Sequence, residues 1–92
     1  MKIVINVGYG GFGLSELALQ RYIARTVASP YLYSSDIARD DPVLVELIES
    51  MGLAANGKYA TLKVVEIPDD VDWSIHEYDG AEWIAEAHRT WS

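Results

Sequence analysis

Cysteine is absent from the 92-residue chain, which excludes a disulfide scaffold and a thiolate zinc site and fits a reducing compartment. Bases are scarce at one end. Beyond residue 65 the only Lys or Arg is Arg89, against eight acids: Glu66, Asp69, Asp70, Asp72, Glu77, Asp79, Glu82 and Glu86. Residues 1–65 balance six acids with six bases, so the whole net charge of −7 belongs to the C-terminal third. An acidic surface of this kind repels duplex nucleic acid, whose binding rests largely on phosphate neutralisation. It suits a basic partner, or a solvated face that keeps a small protein in solution. Long apolar runs are also missing. The N-terminal one covers five or six residues, so neither a signal peptide nor a membrane span is expected and the expected location is the cytoplasm. Half the residues are hydrophobic and 11% are aromatic, which excludes disorder and predicts one compact α+β domain over residues 1–92.

Punctuation along the chain predicts the order β-α-β-α-β-β-β, with two helices against a mixed sheet. Lys2-Ile3-Val4-Ile5-Asn6-Val7 reads as a buried strand. Ser15 caps a helix to about Val27, with Leu14 and Leu19 placed as a hydrophobic staple. Tyr31-Leu32-Tyr33-Ser34, aromatic and bounded by Pro30, reads as a short strand parallel to the first through a right-handed crossover. Asp41 and Pro42 start a second helix whose Leu44, Leu47, Ile48 and Met51 share a face. Gly52 ends it, with Leu53 able to contact Ile48 as in a Schellman motif.

Residues 59–67 read as the next strand. Asp79-Gly80 then joins Trp73–Tyr78 to Ala81–His88 as a hairpin pairing Ile75 with Ile84, His76 with Trp83 and Glu77 with Glu82. The last pairing sets like charges opposite each other. Residues 81–88 also have good helix propensity. The predicted core holds Ile3, Ile5, Leu17, Ile48, Leu62 and Val64. Three tryptophans and six tyrosines exceed what so small a core hides, which predicts a homo-oligomer, dimeric or higher.

Four of the seven glycines fall within Gly8–Gly13. Clustered after a strand, they imply positive φ or an approach too close for a Cβ, and a ligand is one candidate for the approaching group. Gly8-x-Gly10-x-x-Gly13 matches the dinucleotide fingerprint literally, with Asp36 near the distance of a ribose-binding acid. The context fails, because the chain has no room for the further parallel units that fold needs. A looser reading remains: loop amides before a helix form an anion site for phosphate or carboxylate. Equally, the loop is a tight turn with Phe12 tucked into the core.

Arg89 offers a planar fork for phosphate, or serves as an ion-pair hub among the acids. Trp91 docks on the body or on a second protomer, or stacks on a ligand. Catalytic constellations are poor: His76 and His88 have no cysteine, and the serines lack an elbow context. Glu77, Glu82 and Glu86 form a row suited to a hard cation or to solvent. No catalytic or metal-ligating residue is assigned and no cofactor is expected.

The segments Lys2–Asn6, Tyr9–Ser15, Arg39–Pro42, Glu66–Asp69, Tyr78–Gly80 and His88–Trp91 together resemble a family of small proteins encoded by phages and prophages. The pattern runs Lys-Ile-Val-Ile-Asn, Tyr-Gly-Gly-Phe-x-Leu-Ser, Arg-Asp-Asp-Pro, Glu-Ile-Pro-Asp, Tyr-Asp-Gly and a closing His-Arg-x-Trp. The layout also looks like phage anti-defence proteins of the Thoeris-inhibiting type, which hold cyclic ADP-ribose-like or cyclic oligonucleotide signals without cleaving them. That resemblance implies ligand contacts from Asn6, Arg39, the Asp69-Asp70 corner and Arg89 across a protomer interface.

Two functions are therefore expected. One is a non-enzymatic sponge for a nucleotide-derived immune signal. Its phosphate would sit on Tyr9, Gly10, Gly11, Phe12 and Ser15, with Arg39 and Arg89 as clamps and an aromatic such as Trp91 on the base. The other is an acidic inhibitor that blocks a basic surface of a host protein.

Overall fold

A computed structural model describes residues 1–86. Strand β1 (Lys2–Asn6) leads through the glycine loop to helix α1 (Glu16–Thr26). A 3₁₀ turn at Ser34–Asp36, helix α2 (Pro42–Met51) and a second 3₁₀ turn at Gly52–Ala55 follow. Strands β2 (Leu62–Glu66), β3 (Trp73–Tyr78) and β4 (Ala81–Glu86) complete the order. The α+β class holds, but among the described residues the strands form two antiparallel pairs rather than one mixed sheet. Among the described residues β1 pairs antiparallel with β2, Val4 facing Val64, and β3 pairs antiparallel with β4.

Alternation along β1 builds three layers, because successive strand side chains leave opposite faces. Val4 enters the larger core with Leu14, Ala18, Tyr22, Leu44, Leu47 and Ile48, so both helices cover one face of β1–β2. Ile3 and Ile5 point the other way into a second core with Ile67, Trp73, Ile75 and Ile84, where the β3–β4 hairpin covers the opposite face. Burial on both sides explains the uninterrupted Ile-Val-Ile run.

The helix punctuation acts as read. Ser15 Oγ accepts the Ala18 amide at 3.2 Å, and Asp41 Oδ1 accepts the amides of Val43 and Leu44 at 2.8 and 3.3 Å. The other Asp41 oxygen accepts the buried Tyr22 hydroxyl at 2.7 Å, which ties α1 to the start of α2. That hydrogen bond, with burial and the Asp41 charge behind it, pushes the Tyr22 hydroxyl above its ordinary pKa. Asp41→Ala removes a cap and strands a buried hydroxyl, so a loss of about 2 kcal/mol is expected in urea unfolding. Tyr22→Phe should lose about 1 kcal/mol. The double variant should lose less than the sum, since both changes remove the same bond.

Several expectations are corrected. Residues 31–34 are not a strand: Tyr31 and Tyr33 are exposed, and their amides bond locally to Ser29 Oγ and Asp36 Oδ2, an alternative that competes with a ladder. The edge of β1 that such a strand would need is already taken, the Val4 amide by the Arg39 carbonyl and the Asn6 amide by the Glu82 carboxylate. Without that strand there is no parallel βαβ unit among the described residues. Leu17 is half-exposed, and Ala18 and Tyr22 supply the buried face of α1 instead. Leu53 is exposed because Gly52, at φ +59°, turns the chain into the 3₁₀ segment. Segment 81–86 is a strand in the expected register, with Asp79 and Gly80 both at positive φ in the turn. His88, Arg89 and Trp91 lie outside the described residues.

Candidate functional site

The glycine loop runs from the end of β1 to the cap of α1, and the close approaches its composition implies are made by the chain itself. A Cβ on Gly10 would lie 2.1 Å from the Tyr59 carbonyl oxygen, and one on Gly80 would lie 2.5 Å from the Tyr9 carbonyl oxygen. On the segment facing the loop, a Cβ on Gly57 would lie 2.8 Å from the Gly13 backbone. The loop is therefore clamped between the 57–59 turn and the hairpin tip. Gly11 differs: its φ is +90° and the space on its Cβ side is open.

Asn6 holds this junction together. Fully buried, its side-chain amide donates to the carbonyls of Gly8 and Gly80 at 2.8 Å each, and its oxygen accepts the amides of Gly8 and Thr61 at 3.3 and 2.7 Å. Four bonds exhaust the capacity of the side chain. Asn6 thus serves the fold at this point and has no free group for a ligand.

Arg39 is engaged as well. Its guanidinium forms a two-pronged pair with Glu82, at 2.6 and 2.9 Å, and its carbon lies 3.5 Å from the centre of the Phe12 ring. The Glu82 side chain is 8% exposed and that of Arg39 20%. Burial pushes the Glu82 carboxyl up. Hydrogen bonds from Arg39 and the Asn6 amide, together with the Arg39 charge, outweigh that and hold it below the usual carboxylate range. The unfavourable Glu77–Glu82 pairing is relieved in the same way, since Glu82 turns to Arg39 while Glu77 accepts the Gly80 amide.

Of the expected contact residues, Asn6, Tyr9, Gly10, Gly11, Phe12 and Arg39 converge at this junction, and Ser15 stands at the far end of the loop, its hydroxyl donating to the Ala54 carbonyl at 2.7 Å. Asp69 is not brought there. It sits by the residue just before β1, bonded to the Met1 amine, which lowers its pKa. Arg89 and Trp91 fall outside the described residues.

Beside the loop lies an open cleft of about 170 Å³ lined by Gly10–Leu14 and Gly57–Ala60. Among the described residues, no protein acceptor meets the amides of Gly10, Phe12 or Gly13, while Tyr9 and Gly10 form a turn that the Gly11 amide closes. Lys58 also lines the cleft, and its ammonium stands 5.3 Å from the centre of the exposed Tyr59 ring. Sequence reading missed Lys58, Tyr59 and Glu82. The Asn56-Gly57-Lys58 turn and the like-charge hairpin pair were the available signals. Among the described residues no group of three His, Asp or Glu is placed to hold a metal ion, and no helix is long and apolar enough to cross a membrane.

No family model matches the chain, and no curated protein or solved structure shows significant similarity to it.

Proposed function

We propose that the protein is a non-enzymatic binder of an anionic, nucleotide-derived small molecule, linear or cyclic, and that it acts by sequestration. The observation that carries this reading is the set of loop amides without protein acceptors, those of Gly10, Phe12 and Gly13, beside Lys58 in the Gly10–Ala60 cleft. Neighbouring loop amides and one ammonium suit a phosphate. At about 170 Å³ the cleft is smaller than pockets that enclose a whole ligand, so it takes the anionic end and leaves the base to the exposed rings of Tyr9 and Tyr59. Closure over the base then falls to a second protomer. The exposure of five of the six tyrosines supports the homo-oligomer on which this closure depends.

The likeness to phage anti-defence proteins supports a nucleotide immune signal as the ligand. Because Arg39 is committed to Glu82, the charge contact on this reading is Lys58. Titration calorimetry against linear and cyclic nucleotides should find a binder, and Lys58→Ala should weaken it by about 1.5–3 kcal/mol, the range for charged hydrogen bonds. Absence of binding by every nucleotide to the folded wild-type protein would end this reading.

A further inference from the structure

The β3–β4 hairpin shows two unlike faces. Trp73, Ile75 and Ile84 meet the second core. The opposite face carries Ser74, His76, Tyr78, Ala81, Trp83 and Ala85, with no Lys, Arg, Asp or Glu among them. Tyr78 is 71% exposed and Trp83 49%, and the rings of His76 and Trp83 lie 5.9 Å apart. Acids frame this uncharged centre. Exposed Asp72 precedes β3 and exposed Asp79 stands in the turn at the two ends of this face, exposed Glu77 and Glu86 leave the other face of the same strands, and residues 64–88 contain no Lys or Arg. A third feature is independent of both: β3 has β4 on one side and, among the described residues, no strand on the other.

We propose that the outer face and open edge of this hairpin dock an extended, arginine- or lysine-rich segment of a partner protein. Charge selects the occupant. A basic segment complements the acid frame, whereas a second copy of this chain would bring the same acids against it and nucleic acid would be repelled. The aromatic centre suits that occupant too, since a guanidinium or ammonium is attracted to the faces of tryptophan and tyrosine, residue types that anchor interfaces. The edge of β3 supplies backbone donors and acceptors for an added strand, whose alternate side chains would stand beside Ser74, His76 and Tyr78. None of Tyr78, Trp83, Asp72 or Glu86 lines the glycine-loop cleft, so the surface stands independently of nucleotide binding.

A synthetic peptide alternating arginine with threonine, titrated into the full chain by calorimetry, tests this. Binding is expected to weaken steeply with salt, and the glutamate–threonine counterpart should not bind. Trp83→Ala, an exposed change checked for folding by circular dichroism, should weaken binding at least tenfold. N-methylation of alternate peptide amides should do the same by removing the strand pairing. Binding that ignores both Trp83→Ala and N-methylation would be diffuse charge attraction and would overturn the proposal. So would absence of binding, or a wild-type dimer in sedimentation that Trp83→Ala dissociates, since the face would then belong to a second copy.

Discussion

Arg39→Ala should cost the fold about 3–5 kcal/mol, the usual effect of removing one partner from a buried ion pair. The loss is large because Glu82 keeps its charge at 8% exposure with no other cation bonded to it among the described residues, and because Phe12 loses the guanidinium stacked on it. For a domain of this size each 1 kcal/mol is worth roughly 4–8 °C, so the melting temperature should fall by roughly 12 °C or more. Replacing both Arg39 and Glu82 by methionine should not restore full stability, although such swaps are often neutral elsewhere. Glu82 also accepts the Asn6 amide at 2.8 Å, and leaving that group unpaired costs about 1–3 kcal/mol.

Acid should unmask the same pair. Glu82 has a depressed pKa in the folded protein, so its contribution is complete above the unfolded value of about 4.3 and is lost as pH falls through the folded one. Wild-type stability should therefore drop below about pH 4, with exposed Asp69 adding in the same direction. Glu82→Gln should be less stable at neutral pH and show a flatter acid limb in denaturant unfolding. An unchanged limb would place the acid sensitivity elsewhere.

What the sequence disclosed and what it hid divide along a physical line. Features set by near neighbours were legible: the caps at Ser15 and Asp41, the double-sided burial of Ile3–Ile5, and the hairpin register fixed by Asp79-Gly80. Features decided by distant groups were not. Tyr31–Ser34 has strand composition, yet the hydrogen bonds it would need on β1 go to the Arg39 carbonyl and to a side chain 76 residues away from Asn6. The candidate site shows the same division. The glycine loop announced a close approach, but only the fold reveals that the approaching groups at Gly10 and Gly80 are Tyr59 and Tyr9 backbone. Arg39 looked like a free clamp because its counter-charge lies 43 positions on.

Three alanine substitutions in the loop should separate the reasons a glycine can be required. Gly10→Ala places a Cβ 2.1 Å from the Tyr59 carbonyl oxygen. Since the obstacle is backbone, no rotamer relieves it, and a loss of about 3 kcal/mol or more is expected. Gly11→Ala meets nothing within 4 Å but must hold φ +90°, a conformational cost of about 1–2 kcal/mol. Gly13→Ala meets neither obstacle, having open space and no positive φ, so restricting the unfolded chain should stabilise it by about 0.4–1 kcal/mol. Denaturant unfolding of the three variants would show this order, and equal losses would mean that the loop moves as a unit and yields to any side chain. Gly13 then becomes the sharper probe of the cleft it lines. A bulkier Gly13→Val that keeps wild-type stability but loses nucleotide binding would place the ligand against the loop amides, whereas retained affinity would move the ligand off them.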